Sequence, residues 1–241
     1  MECYTTGQRS DGFGAIFQNI IFDILWSENH GYNYSFSPIA SFDHNYENEI
    51  SFTEKLNSFM NMDFAFPENS FHKKIIPFAH SYTFVQSNID SMFSSESSKK
   101  IKAAFFADKS RPFDLLHTHV AVHVRRPNLR DDRIEGTNTP DSYYLSIINR
   151  LREDYKGKNI IFHIYSQGDV ENFKAFLSGD TYLHLNESIT DTFLGLSKAD
   201  ILITSASSFS YTAALLTSGI VYYKSFWHPP LKSWIIGDTV V

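Results

Sequence analysis

The chain has 241 residues, 42% of them hydrophobic and 20% charged, with a formal net charge of −6. That length holds one large domain or two small ones, each able to bury a core, in a composition ordinary for a soluble globular protein. The negative balance speaks against a nucleic-acid coat, which needs a basic face.

A single cysteine, Cys3, excludes an internal disulfide and fits a reducing compartment. No run approaches the roughly 20 apolar residues of a membrane span, and the first nine residues lack the pattern of a secretory leader. The expectation is a cytoplasmic protein. Residues 1–6 read as a first strand, followed by Ser10-Asp11-Gly12-Phe13-Gly14 and a helix over 15–26. In that helix Ile16, Phe17, Ile20, Ile21, Ile24 and Leu25 recur at three- and four-residue spacing. A strand, a glycine turn and a helix start suit an anion, because unpaired backbone N–H groups and the positive helix end face the loop. A plain tight turn with no ligand fits the same residues.

Further on, a second strand is expected over 32–38, a helix over 47–62, a strand over 73–78 and a helix over 84–93. Ser94 to Lys100 reads as a surface loop or helix start. After Arg111-Pro112-Phe113 the pattern becomes regular. Strands are predicted at 120–124, 159–165, 182–185, 201–204 and 220–223. Helices alternate with them at 141–155, 170–177, 190–197 and 209–216. That alternation predicts a Rossmann-like α/β domain with a parallel sheet, and divides the chain into 1–113 and 114–241.

Three strand ends in the second half carry chemistry. Val120-Ala121-Val122-His123-Val124 runs into Arg125-Arg126, two guanidiniums that stay charged and match phosphate oxygens in pairs. They are read as a pyrophosphate clamp. Ser166 and Gly168 mark a second strand-to-helix turn. Thr204 to Ser210 gathers Ser205, Ser207, Ser208 and Ser210 where a third strand hands over to a helix; one can be a cap, and together they suit diphosphate oxygens. The Gly-x-x-x-x-Gly-Lys pattern of a P-loop is missing from the sequence.

His123-Val124-Arg125-Arg126 resembles the His-x-Arg-Arg motif of the GT-B fucosyltransferase-like superfamily. Asp200 to Ser210 is similar to its later Ser-Ser-Phe-Ser motif, and Asp11 to Asn19 resembles its amino-terminal glycine loop. The resemblance implies an α/β, GT-B-like fold: two Rossmann-like domains with parallel sheets facing a central cleft. It implies an acceptor-side first domain and a second domain holding a sugar nucleotide. Arg125 and Arg126 would neutralise the leaving diphosphate. Ser207, Ser208 and Ser210, with nearby amides, would bind the phosphates, and Ser205 and Phe209 of the same motif belong to the donor site. His123 would contact the nucleotide or brace the arginines, and Gly12, Phe13 and Gly14 would approach from the first domain. Asn128 stands where the family often has Asp, and Ala15 where Asn is usual.

Inverting transfer needs a base. Asp11 ranks first, with Asp131, Asp132 and Glu135 as rivals in the loop after the arginines. Asp191 is read as a base or ribose contact, or as an ordinary helix-start residue. His117, His119 and His123 share one strand face like metal ligands, but no neighbouring Glu or Cys completes a zinc set, so no metal or other cofactor is expected. The leading function is an inverting, metal-independent glycosyltransferase, soluble and of the bacterial or large-virus type. Its partners are a nucleotide-sugar donor (GDP-fucose by resemblance, or UDP-xylose or another UDP- or deoxysugar) and a glycan or glycoconjugate acceptor. The alternative is a non-catalytic nucleotide-sugar or carbohydrate-binding module.

Overall fold

The computed structural model describes residues 2–45, 49–68, 72–126 and 139–240. The chain divides into two compact units, residues 1–110 and 111–241.

In the first unit β1 (Cys3–Thr6), β2 (Asn33–Tyr34) and β3 (Lys74–Ile76) form a parallel sheet in the order β2-β1-β3. Its helices are α1 (Phe13–Asn29), α2 (Phe52–Met60), α3 (Met62–Ala65), α4 (Phe78–Ser87), α5 (Ile89–Phe93) and α6 (Glu96–Phe106). The strand expected over 32–38 contracts to two residues. The helix expected over 84–93 is two helices interrupted at Asn88, whose amide side chain bonds the Phe84 carbonyl. The serine-rich stretch is a helix start: Ser95 caps α6, its Oγ accepting from the Ser98 N–H at 3.2 Å. Helix α1 is buried on almost every side. Its apolar residues share the interior with Asn19, Asp23 and Ser27, a polar row at four-residue spacing. Burial raises the Asp23 carboxyl to about 7, with the Ser81 and Thr6 hydroxyls offsetting part of the effect.

The second unit contains β4 (Thr118–His123), α7 (Asp141–Asp154), β5 (Ile160–Ser166), β6 (Thr181–Leu185), α8 (Ile189–Lys198), β7 (Ile201–Ile203), α9 (Ser208–Leu216), β8 (Ile220–Tyr223) and β9 (Ile235–Ile236). The segment Val170–Phe176, expected as an α-helix, is a 3-10 helix. All six strands are parallel, in the order β6-β5-β4-β7-β8-β9. This is the Rossmann order, in which the chain builds outward from β4 on one side and then returns to build on the other.

Alternate residues of β4 face opposite layers. Val120 and Val122, with Val124 just beyond the strand, join Tyr144, Ile148 and Leu151 of α7 and Phe162 and Ile164 of β5 in one buried core. Each such side chain contributes roughly 1.5–3 kcal/mol by leaving water. On α8, Gly195 is required by contact: an added Cβ would lie 2.2 Å from the Tyr165 hydroxyl. No helix among the described residues is long and apolar enough to cross a membrane.

Candidate functional site

In the Rossmann order the chain reverses direction between β4 and β7, and the crevice beyond their carboxyl ends is where such sheets bind ligands. Two of the three loaded strand ends of the second half, those of β4 and β7, leave the sheet there. β4 and β7 pair directly, with Val122 opposite Ile203. One residue past β4's end of that register, the His123 Nδ1 lies 2.9 Å from the Ser205 Oγ, across 82 residues of chain. Burial, and then the neighbouring Arg125 charge, hold the His123 imidazole down to about 3. It is therefore neutral near pH 7, and its ring packs 5.5 Å from that of Phe209.

The serines divide into two groups. Ser205, Ser207 and Ser210 are buried and build the turn itself. The Ser205 N–H donates to the Ser210 Oγ at 3.3 Å, and Ser207 is the N-cap of α9, accepting from the Phe209 N–H at 3.2 Å. Their hydroxyls hold the backbone that would meet an anion. Ser208 is half-buried at the first position of α9, its Oγ 3.1 Å from the His228 Nε2. The leading N–H groups of a helix have no carbonyl in their own helix to bond. An anion at α9 would therefore be met first by main-chain N–H groups and Ser208.

The two arginines also differ. Arg125 is half-buried, close enough to His123 for its charge to be felt there. The Arg126 guanidinium is ion-paired to Asp141, the first residue of α7, and lies 5.3 Å over the Phe173 ring. Its side chain is 20% exposed and lines an open depression of about 530 Å³ with Thr139, Asp141, Gln167, Gly168 and Asn172. Ser166 braces this end of the sheet, its Oγ donating to the Val124 carbonyl at 2.6 Å. Gly168 has a φ of +117°, a backbone state closed to most side chains, and its N–H donates to the Asn186 Oδ1 at 2.9 Å.

Asp191 lies in the first turn of α8. Ser188 caps α8 and accepts from the Asp191 N–H at 3.1 Å, while its hydroxyl donates to the Asp191 Oδ2 at 2.7 Å. The carboxylate orients the capping hydroxyl, and one backbone donor of the helix start is satisfied.

In the first unit Gly12 is the N-cap of α1, at φ −62°, and its carbonyl accepts from Ala15 and Ile16. Phe13 and Gly14 are buried within the first turn. Asp11 is held by Arg9, whose Nε lies 3.2 Å from the Oδ1 and whose terminal nitrogen pairs with the Oδ2. The sequence reading missed Arg9, although a cation two residues before the proposed base was there to be seen. Asp131, Asp132, Glu135, Pro127 and Asn128 lie outside the described residues.

No family profile matches the chain, and no curated protein matches it in sequence. Solved structures do. The E. coli heptosyltransferase WaaC with ADP-2-deoxy-2-fluoro heptose aligns at a TM-score of 0.51 and 11% identity, over 98% of this chain and 92% of that one. The NodZ α-1,6-fucosyltransferase of Bradyrhizobium, co-crystallised with GDP, aligns at 0.48 and 11% identity, over 92% and 96%. The heptosyltransferase likeness runs through both units. The fold is GT-B-like, with two parallel-sheet α/β units in succession.

Proposed function

We propose that this chain is an inverting, metal-independent glycosyltransferase that moves a sugar from a nucleotide-diphosphate donor to a hydroxyl of a glycan or glycoconjugate. One observation carries the reading. The sheet order brings the ends of β4 and β7 together, and there His123 and Ser205 bond while Arg125 leaves one strand and the N-terminus of α9 follows the other. A diphosphate needs fixed positive charge and main-chain donors where bond cleavage makes it more negative, and both are at hand. The neighbouring depression is within the size range of small-ligand sites.

In the reaction the acceptor oxygen bonds to the anomeric carbon from the face opposite the diphosphate. The carbon–oxygen bond to phosphate breaks, and the nucleoside diphosphate departs with the electron pair. The acceptor proton goes to a base, for which Asp11 is the candidate once Arg9 releases it. Arg125 stabilises the leaving group; Arg126, through Asp141, anchors the start of α7 beside it. The motif resemblance favours GDP-fucose, with UDP-xylose and other UDP- or deoxysugars next. ADP-sugars join the screen because the heptosyltransferase structure holds one.

The test is melting-temperature screening of the full chain with GDP-, UDP- and ADP-sugars, since a ligand of the folded form raises the midpoint. Turnover assays with the ligand selected then follow. A stabilising donor that is transferred or hydrolysed supports the enzyme. The pairing of both Asp11 and Arg126 with opposite charges favours a second reading, a non-catalytic binding module. Saturable binding without turnover would establish that reading.

A further inference from the structure

Three histidines on three adjacent strands form a continuous chain of hydrogen bonds across one face of the second sheet. The His119 Nδ1 is 2.9 Å from the His163 Nε2, the His163 Nδ1 is 2.9 Å from the His184 Nε2, and the His184 Nδ1 is 2.7 Å from the Glu187 Oε1. A neutral imidazole has one donor and one acceptor nitrogen, and an ionised carboxylate only accepts. Glu187 therefore fixes the order of protons along the row. His184 donates to it through Nδ1 and accepts at Nε2, His163 does the same in turn, and so does His119. At the far end the His119 Nε2 is left as a bare lone pair.

That lone pair is 3% exposed with its residue, and no hydrogen-bond donor reaches it. It is aimed at another electron donor, the Asp114 Oδ1 at 3.5 Å. The same oxygen lies 3.0 Å from the His117 Nδ1. Three ligand-type atoms thus converge within 4.8 Å of one another. The buried His119 Nε2 has no donor, while the His117 Nδ1 shares a hydrogen bond with the carboxylate whose proton a metal would replace. In a tetrahedral site with metal–ligand bonds of ~2.0–2.1 Å, neighbouring ligand atoms stand ~3.3 Å apart. The two separations from the Asp114 Oδ1 bracket that edge, and small side-chain rotations would bring the two imidazoles, within 4.8 Å, to it.

We propose that Asp114, His117 and His119 bind a divalent transition metal, zinc by preference. Two imidazoles and one carboxylate are a borderline ligand set that suits zinc and excludes calcium or magnesium, which want oxygen throughout. The row of His163, His184 and Glu187 orients His119 and raises its basicity, as supporting residues do in metal sites generally. The fourth position is open to water. The sequence showed the histidine spacing but not the carboxylate, because Asp114 reaches the strand from the preceding turn, its Oδ1 also accepting the Leu116 and His117 N–H groups. His123 belongs elsewhere, bonded to Ser205. His119 precedes it by four residues, ~13 Å along a strand, so the ion stands apart from the proposed transfer chemistry. Its role is to tie the entry of β4 to residues 114–117, and the inference does not depend on the transferase reading.

The experiment uses the full chain without an affinity tag, stripped with EDTA, dialysed and titrated with ZnCl2 by calorimetry and with CoCl2 by absorbance. One equivalent of zinc should bind, with a melting point that climbs as zinc is added, and cobalt should give the intense visible bands of tetrahedral coordination. His117→Ala and Asp114→Asn alter partly exposed side chains and should each weaken binding by roughly tenfold or more. Absence of saturable binding, an octahedral cobalt spectrum, or equal affinity in both variants and the parent would overturn the site.

Discussion

The two units have the same parallel α/β design and opposite interior electrostatics. The first buries an acid, Asp23, inside α1, beside Asn19 and Ser27 atoms that lack partners. The second buries imidazoles held neutral: burial pushes His163 and His228 down to about 4 and His123 to about 3. What differs is the sign of the proton balance. A folded unit that raises a carboxyl gains from acid, and one that depresses imidazoles loses by it.

The largest effect that sharpens this contrast is functional. Arg125→Ala in the second unit should cut transfer by about 10²–10³-fold and weaken donor binding together, because it removes charge from the leaving group. Asp11→Asn in the first unit should lower turnover while donor affinity stays. Steady-state rates alongside calorimetric donor binding check both, and full activity in the Arg125 variant would remove the clamp from the scheme.

Next comes pH. The second unit should hold its full stability above about pH 6.5 and lose it as pH falls toward 4, because its unfolded histidines take protons that the folded ones refuse. In the first unit the Asp23 contribution is greatest below about pH 4 and is lost as pH rises toward about 7, where the buried carboxyl ionises. Hydrogen exchange corrected for intrinsic rates, compared at pH 5.5 and 8, should show protection shifting from the first unit to the second. A parallel response in both would break the comparison.

A single substitution tests the acid alone. Asp23→Asn keeps the contacts to Asn19, Thr6 and Ser81 and removes the ionisation, so it should stabilise the chain at pH 8 by on the order of 2–4 kcal/mol and far less at pH 5. Thermal melts at the two pH values measure it. The smallest expected effect is local to the second unit: Ser188→Ala removes the side-chain N-cap of α8 and should cost about 1 kcal/mol in denaturant titrations.

Legibility followed the same division. In the second unit most elements lay within a residue or two of expectation, because strands buried on both faces read as unbroken apolar runs between turns. In the first, strands of two to four residues leave too little pattern to read. The row at 19, 23 and 27 was visible as polar residues at helical spacing within an apolar helix, and Ser188-x-x-Asp191 had the form of a cap. The serine cluster after β7 was found by composition, but which hydroxyls turn inward depends on side-chain direction in the folded turn. β9 was missed because it is two residues long and follows Trp234 without any alternation.

The adjacency of β4 and β7 has a kinetic corollary. β4 meets β5 after one helix, but it meets β7 only when a loop of some 80 residues has closed, as the Ser205–His123 separation shows. Contacts that distant cost loop-closure entropy and slow folding. A nucleotide lodged at that junction would find no partner in earlier, half-built chains. It would act as a latch on the finished molecule, lengthening its lifetime against opening while leaving the speed of its assembly unchanged.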